Sequence, residues 1–227
     1  KEKMYTHIRY KKENLEKLVE NGNYYSDYKS VITNKNDDVV SYAIPRSIEM
    51  ELFMEENPAA DCVVEEFVEG TMVSLFYDRS SVKLYVPELE QLIGSDNRGN
   101  QGWNISTRAS IGAKNSFYRS FDGSITSSFA TLFIDCAKQS ELDLSQLNKN
   151  MCYNFVIKHV DNKVVNTIRA NSLYIIGVYE IKNNDNNRFT INNVPSTCET
   201  TMLSHAKINK PSLFDSEGIF DWDDLHE

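Results

Sequence analysis

The run from Cys62 to Asp78, CVVEEFVEGTMVSLFYD, constrains the fold more than any other part of this sequence. It is dense in β-branched and aromatic residues and is broken once, at Glu69-Gly70, which is strand chemistry rather than helix chemistry. After the break, Val73, Leu75 and Tyr77 fall on one face of an extended chain, and Met72, Ser74 and Phe76 fall on the other. Two strands meeting at a tight glycine turn are the simplest account of the run.

Further strands are expected at Asp38 to Ile44, closed by Pro45, which cannot donate to a continuing ladder, and at Val82 to Val86 and Trp103 to Thr107. A loop carrying Gly94, Gly99 and Gly102 separates the last two. Strand chemistry returns at Cys152 to Ile157, Lys163 to Val165 and Leu173 to Tyr179, with Asp161-Asn162 as a hairpin turn. Asn183 to Asn187 reads as a polar connector, and the tail from Lys207 as loop until a short helix at Trp222 to Leu225.

Two helices stand out. Asn14 to Glu20 has helical spacing and stops at Asn21-Gly22, a C-terminal cap. Ser127 or Ser128 caps a second helix that runs to Lys138. Its apolar residues Phe129, Leu132, Phe133, Cys136 and Ala137 recur at the spacing of one helix face, so this helix should pack on a sheet. Helices set among antiparallel strands make the expected class α+β. Phe53, Phe76, Phe129, Phe133 and Phe155 fall on faces expected to be buried, and the sequence has no internal repeat.

With 227 residues, 41% of them hydrophobic, the chain has the mass for one large domain or a domain with an appendage. Its 24 Lys and Arg against 33 Asp and Glu give a net charge of -9, which excludes a surface that grips phosphate backbone all over. Any nucleic-acid contact must be local. Cys62, Cys136, Cys152 and Cys198 lack metal-ligand or CxxC spacing and read as buried free thiols in a reducing compartment. No apolar run approaches the roughly 20 residues of a membrane span and no secretory leader opens the sequence, so a cytoplasmic protein with no membrane partner is expected.

Taken in order, VSYAIPR from Val40, EEFVEGTMVSLFYD from Glu65, WNISTRASIG from Trp103, YNFVIKHVDNKVV from Tyr153 and LYIIGVYE from Leu173 form a series. This succession resembles the bacteriophage-type RNA ligases of the covalent nucleotidyltransferase superfamily, over about residues 38 to 225. The resemblance implies an RNA-ligase adenylation-domain-like fold, with antiparallel sheets flanked by helices, over residues 38–227. Residues 1–37 would then be a helical or extended lead-in. The abundance of Asn and Lys suggests an A·T-rich coding sequence, as in some large DNA viruses.

In that family a Lys-x-Asp-Gly motif follows a strand, and its lysine attacks the α-phosphate of ATP. Here the motif reads Phe67-Val68-Glu69-Gly70, and phenylalanine has no lone pair with which to attack phosphorus. Where the family has a Phe-Glu pair, its carboxylate near the ribose or the metal, this chain has Phe155-Val156, which depletes the means of holding Mg²⁺. The later motifs are not visible, since Glu217-Gly218-Ile219-Phe220 matches one only in letters, so the C-terminal motifs are expected to be absent or truncated.

The resemblance thus implies no catalytic residue and no metal site. The ligand-binding positions it retains are Glu66, Phe67, Glu69, Gly70, Arg108 and Lys158. Arg108, in the Ser-Thr-Arg block, either points at a phosphate or pairs with a surface carboxylate. Lys158 and His159 are further candidates, His159 as a solvated or hydrogen-bonded residue. Phe67 either fills the vacated nucleotide pocket or stacks on a ligand base.

The expected function is therefore a catalytically inactive RNA-ligase-like module that binds RNA ends, a cap-like nucleotide or a protein partner in RNA processing or translation, with no cofactor. The alternative is an active ATP-dependent RNA ligase or capping-type nucleotidyltransferase with an unusual nucleophile, which would require ATP and Mg²⁺. A third reading is a structural domain inside a larger complex.

Overall fold

The computed structural model of the chain describes residues 4–9, 28–94, 99–116, 127–162, 165, 167–184, 188–195, 203–214 and 222. The described elements are α+β: two antiparallel sheets and few helices. The smaller sheet has the order β1-β2-β3, formed by Tyr5–Ile8, Val31–Asn34 and Val39–Tyr42. The larger has the order β5-β4-β6-β7-β8, from Trp103–Ser106, Thr71–Tyr77, Met151–Lys158, Ser172–Asn184 and Arg188–Asn193. Because β1 and β2 fall within residues 1–37 and pair through β2 with β3, the expected lead-in shares a sheet with the chain beyond residue 37.

One face of the larger sheet carries Val73, Leu75, Tyr153, Phe155, Ile157, Leu173 and Ile175 against α2, Phe129–Gln139. The helix turns Phe129, Leu132, Phe133, Cys136 and Ala137 into this core, as its periodicity requires. Ser128 is its N-cap and accepts a hydrogen bond from the Thr131 amide at 3.2 Å. The Phe133 and Phe155 rings meet at 5.9 Å between centroids, which ties the helix to the middle of the sheet.

The other face carries Met72, Ser74 and Phe76 of β4, so the alternation read in the sequence holds. The smaller sheet covers part of this face. Tyr5, Ile32 and Val40 pack with Phe76 and Cys152, and the Tyr42 and Tyr179 rings meet edge to face at 4.9 Å. A buried polar seam runs beneath: Ser74 Oγ donates to Asn154 Oδ1 at 2.7 Å, and Asn154 Nδ2 donates to the Tyr42 carbonyl at 3.1 Å. Each buried polar group in this seam is thereby partnered, which is what makes its burial tolerable.

Several expectations need correction. The Cys62 to Asp78 run is one strand, not two, because β4 already has β5 on one edge and β6 on the other. With both ladders taken, residues 64 to 66 pair instead with 212 to 214 through the Glu65 and Leu213 bridge. Val82 to Val86 is not a strand. Asp78 Oδ1 accepts from the Ser80 amide and hydroxyl to form a turn, Val82 is 89% exposed, and Pro87 opens a 3-10 helix, Pro87–Leu92, that buries Leu89 and Leu92.

Asn183 and Asn184 are not connector but the end of β7, paired with Phe189 and Arg188 of β8. The Asn183 side-chain amide imitates a backbone pair, accepting from the Val39 N–H at 2.8 Å and donating to its carbonyl at 2.9 Å. Phe53 is not buried: α1, Met50–Glu56, buries nothing, and the ring is 39% exposed against Trp222. Cys136 and Cys152 are buried as expected, whereas Cys62 is only partly so. A turn does form at Asp161-Asn162, with the Asn162 amide donating to the His159 carbonyl at 2.9 Å. The expected helices at 14–20 and 222–225, residues 163 and 164, Cys198 and the 217–220 match lie outside the described residues, Trp222 excepted.

Candidate functional site

The positions singled out in the sequence gather at one end of the larger sheet, where β4 begins and β5 and β6 end. Gly70 brings them together. Its backbone presses so closely on β6 that an added Cβ would lie 2.4 Å from the Ile157 carbonyl oxygen and 2.6 Å from Val156 Cγ1. Only glycine tolerates both that approach and a φ of +154°. The motif residues preceding it are thereby held beside the last turnings of β6.

At this end, on the face turned away from α2, Met72, the buried Val156 and Tyr174 lie side by side in register across β4, β6 and β7. Lys158, two residues beyond Val156 on the same face, holds its ammonium 4.6 Å from the centre of the Tyr174 ring. A cation kept over an aromatic face retains its charge and most of its donors, so it remains able to meet an anion.

Arg108 leaves β5 at the same end, since β5 runs antiparallel to β4. Thr107 Oγ1 accepts from the Ala109 and Ser110 amides at 3.3 and 3.1 Å, which shapes the turn that presents the half-buried Arg108 side chain. Lys29 is a neighbour the sequence did not single out. Burial, and then the nearby Arg108 charge, lowers its pKa from the usual lysine range. No spacing rule connects Lys29 to Arg108, because their proximity arises only when the smaller sheet folds over the larger.

The acidic positions are committed to the chain itself. Glu66 Oε2 accepts from the Ser212 hydroxyl at 3.1 Å, and Glu69 Oε1 accepts from the Val165 amide. Both carboxylates therefore brace loops, and among the described residues no group of three or more His, Cys, Asp and Glu side chains is placed to hold a metal ion. His159 is buried, with Nδ1 accepting from the Asp161 amide at 3.0 Å and Nε2 lying 3.7 Å from Asp135. It supports the turn after β6.

Phe67 is 91% exposed. It does not fill a pocket, so of the two roles expected for it only that of an open platform fits this geometry. Glu65 stands opposite Leu213, and Val63 and Phe67 lie two residues either side of Glu65, so the exposed Val63, Glu65, Phe67 and Leu213 share one face of the short ladder. That face offers the Phe67 ring with Val63, Leu213 and the Glu65 carboxylate, while the basic side chains Arg108 and Lys158 stand at the ends of β5 and β6. No side chain at the Phe67 or Val156 position can form a bond to phosphorus or hold Mg²⁺.

No family model matches the chain, and no curated protein matches it. Among the described residues no helix is long and apolar enough to cross a membrane.

Proposed function

We propose that the chain is a catalytically inactive module of the RNA-ligase type, with a nucleotidyltransferase-like fold, that binds a phosphorylated RNA end or a cap-like nucleotide without covalent chemistry. The observation that carries this reading is Phe67, an aromatic ring at the nucleophile position that is 91% exposed rather than packed away. An exposed ring is a stacking platform for a base, and base-on-aromatic stacking contributes about 1 to 3 kcal/mol per base.

Lys158 and Arg108, with Lys29 beside Arg108, supply the positive charge a terminal phosphate requires at this end of the sheet. The acidic net charge of -9 keeps such contact local. The experiment separates binding from chemistry: the protein is incubated with ATP or GTP labelled at the α-phosphate, with excess Mg²⁺ or Mn²⁺. Retention of label on a filter, with none surviving denaturation, is the expected result. Label that survives denaturation of the protein would establish the active-enzyme alternative instead.

A further inference from the structure

A second basic feature lies at the opposite end of the larger sheet, where β4 ends and β6 begins. There β3 lies over β4, β6 and β7, and the two sheets enclose a cavity of about 80 Å³. Its walls include Val39 of the smaller sheet and Tyr77, Met151 and Asn183 of the larger, and its cations are Arg79 and Lys149. We propose that this cavity is a binding site for a phosphate group.

Among the described residues, Arg79 and Lys149 are held in place by neutral partners only. Arg79 Nη2 donates to Asn150 Oδ1 at 2.8 Å, and Lys149 Nζ donates to the Gly99 carbonyl at 2.6 Å while lying 5.0 Å from the centre of the Tyr77 ring. Asn150 is itself fixed, because its amide donates to Asn148 Oδ1 and its carbonyl accepts from the Ile181 amide at 3.1 Å. Neither cation has a carboxylate within 4.0 Å among the described residues, although acids outnumber bases 33 to 24 in this chain. Two positioned, uncompensated cations at one small cavity match an anion with several acceptor oxygens.

Asp38 is the carboxylate of the lining, and its charge opposes an anion. It is engaged by Asn34, whose Nδ2 lies 3.3 Å from Asp38 Oδ2 and 3.0 Å from Asp78 Oδ1. Asn183 is likewise spent on the Val39 backbone. The remaining donors at the cavity are those of Arg79, Lys149 and the Asn150 side-chain Nδ2, a set suited to phosphate rather than to a metal ion or an apolar ligand. The cavity is too small for a base, so the phosphate is either free or part of a strand that runs on outside.

The test uses the full chain. Inorganic phosphate is titrated in one arm and a short 5′-hydroxyl oligoadenylate, which offers only backbone phosphates, in the other. The readout is the NMR shift of the Arg79 Nε–H and of the Asn150 and Met151 amides. Saturable shifts are expected in wild type and in Lys158→Gln, and affinity should fall at least about tenfold in the double variant Arg79→Gln, Lys149→Gln, which removes both charge-assisted contacts. Tighter saturation by the oligonucleotide would assign the site to a strand, and saturation by phosphate alone would assign it to a free phosphate. Absence of saturable shifts in both arms, or shifts that persist unchanged in the double variant, would overturn the proposal. Because Lys158 and Phe67 lie at the other end of the sheet, failure here leaves the proposed end-binding function standing, and the reverse also holds.

Discussion

The α-carbon of Gly70 and the carbonyl of Ile157 approach so closely that any other residue at position 70 would drive its Cβ to 2.4 Å from that oxygen. The contact is with backbone of a central strand, which cannot yield without distorting the sheet. Gly70→Ala is therefore expected to destabilise by about 1 to 3 kcal/mol, the usual range for forcing an added carbon into a packed site. Chemical denaturation should show a lower midpoint with an unchanged slope.

Asn154 joins the two sheets, linking Ser74 on its own sheet to the Tyr42 carbonyl on the other. Asn154→Ala leaves the buried Ser74 hydroxyl without that acceptor and opens a gap in the seam. A loss of about 1 to 3 kcal/mol is expected, the cost of stranding a buried polar group. Equilibrium unfolding in urea measures it, and a change within about 0.5 kcal/mol, the range typical of surface substitutions, would show that the seam does not hold the sheets together.

Removal of the Ser128 hydroxyl frees the Thr131 amide at the start of α2. Ser128→Ala should cost about 1 kcal/mol, whereas Ser128→Asp, which keeps an acceptor and adds favourable charge at the helix start, should cost less. Thermal unfolding of the two variants side by side tests the order.

Burial pushes the Tyr5 phenol upward, and with it the Cys152 thiol to about 11, the Cys136 thiol to about 12 and the Tyr153 phenol to about 12. In the unfolded chain the thiols ionise near 9.0 and the phenols near 10.0. A raised folded value means that the unfolded state releases its proton first. The stability these groups confer is thus whole below about pH 9 and is lost as pH rises toward 12. Denaturant midpoints measured from pH 8 to 11 should fall progressively. In the same chain at pH 8, Cys62 should react with iodoacetamide well before Cys136 or Cys152.

Much of the fold was legible because it rests on short-range rules. The α2 periodicity, its Ser128 cap and the β4 alternation are each set by residues within a few positions of one another. What was not legible depended on partners distant in sequence. Whether residues 62 to 69 form a strand is decided by β5 and β6 having taken both edges of β4. Asn183 looks like a loop residue until Val39, far away in the chain, offers its backbone. The site divides in the same way. Gly70 read in the sequence as the turn between two strands, whereas the structure needs a glycine there because the backbone presses on Ile157 and Val156 of β6. Lys29 comes beside Arg108 only through the packing of one sheet on the other, and Arg79 comes beside Lys149 only because β4 pairs with β6.

In the proposed function Phe67 is a recognition surface at a site without a nucleophile. The most direct measurement is a thermal-shift titration of wild type and Phe67→Ala with ATP, GTP, a methylated cap analogue and a short 5′-phosphorylated RNA. Since Phe67 is 91% exposed, the substitution should leave the unliganded melting temperature nearly unchanged. At least one of the four ligands should stabilise wild type, by about 2.7 kcal/mol at 100 times its dissociation constant, and Phe67→Ala should lose most of that gain. Stabilisation by none of the four, or stabilisation undiminished in Phe67→Ala, would contradict the account.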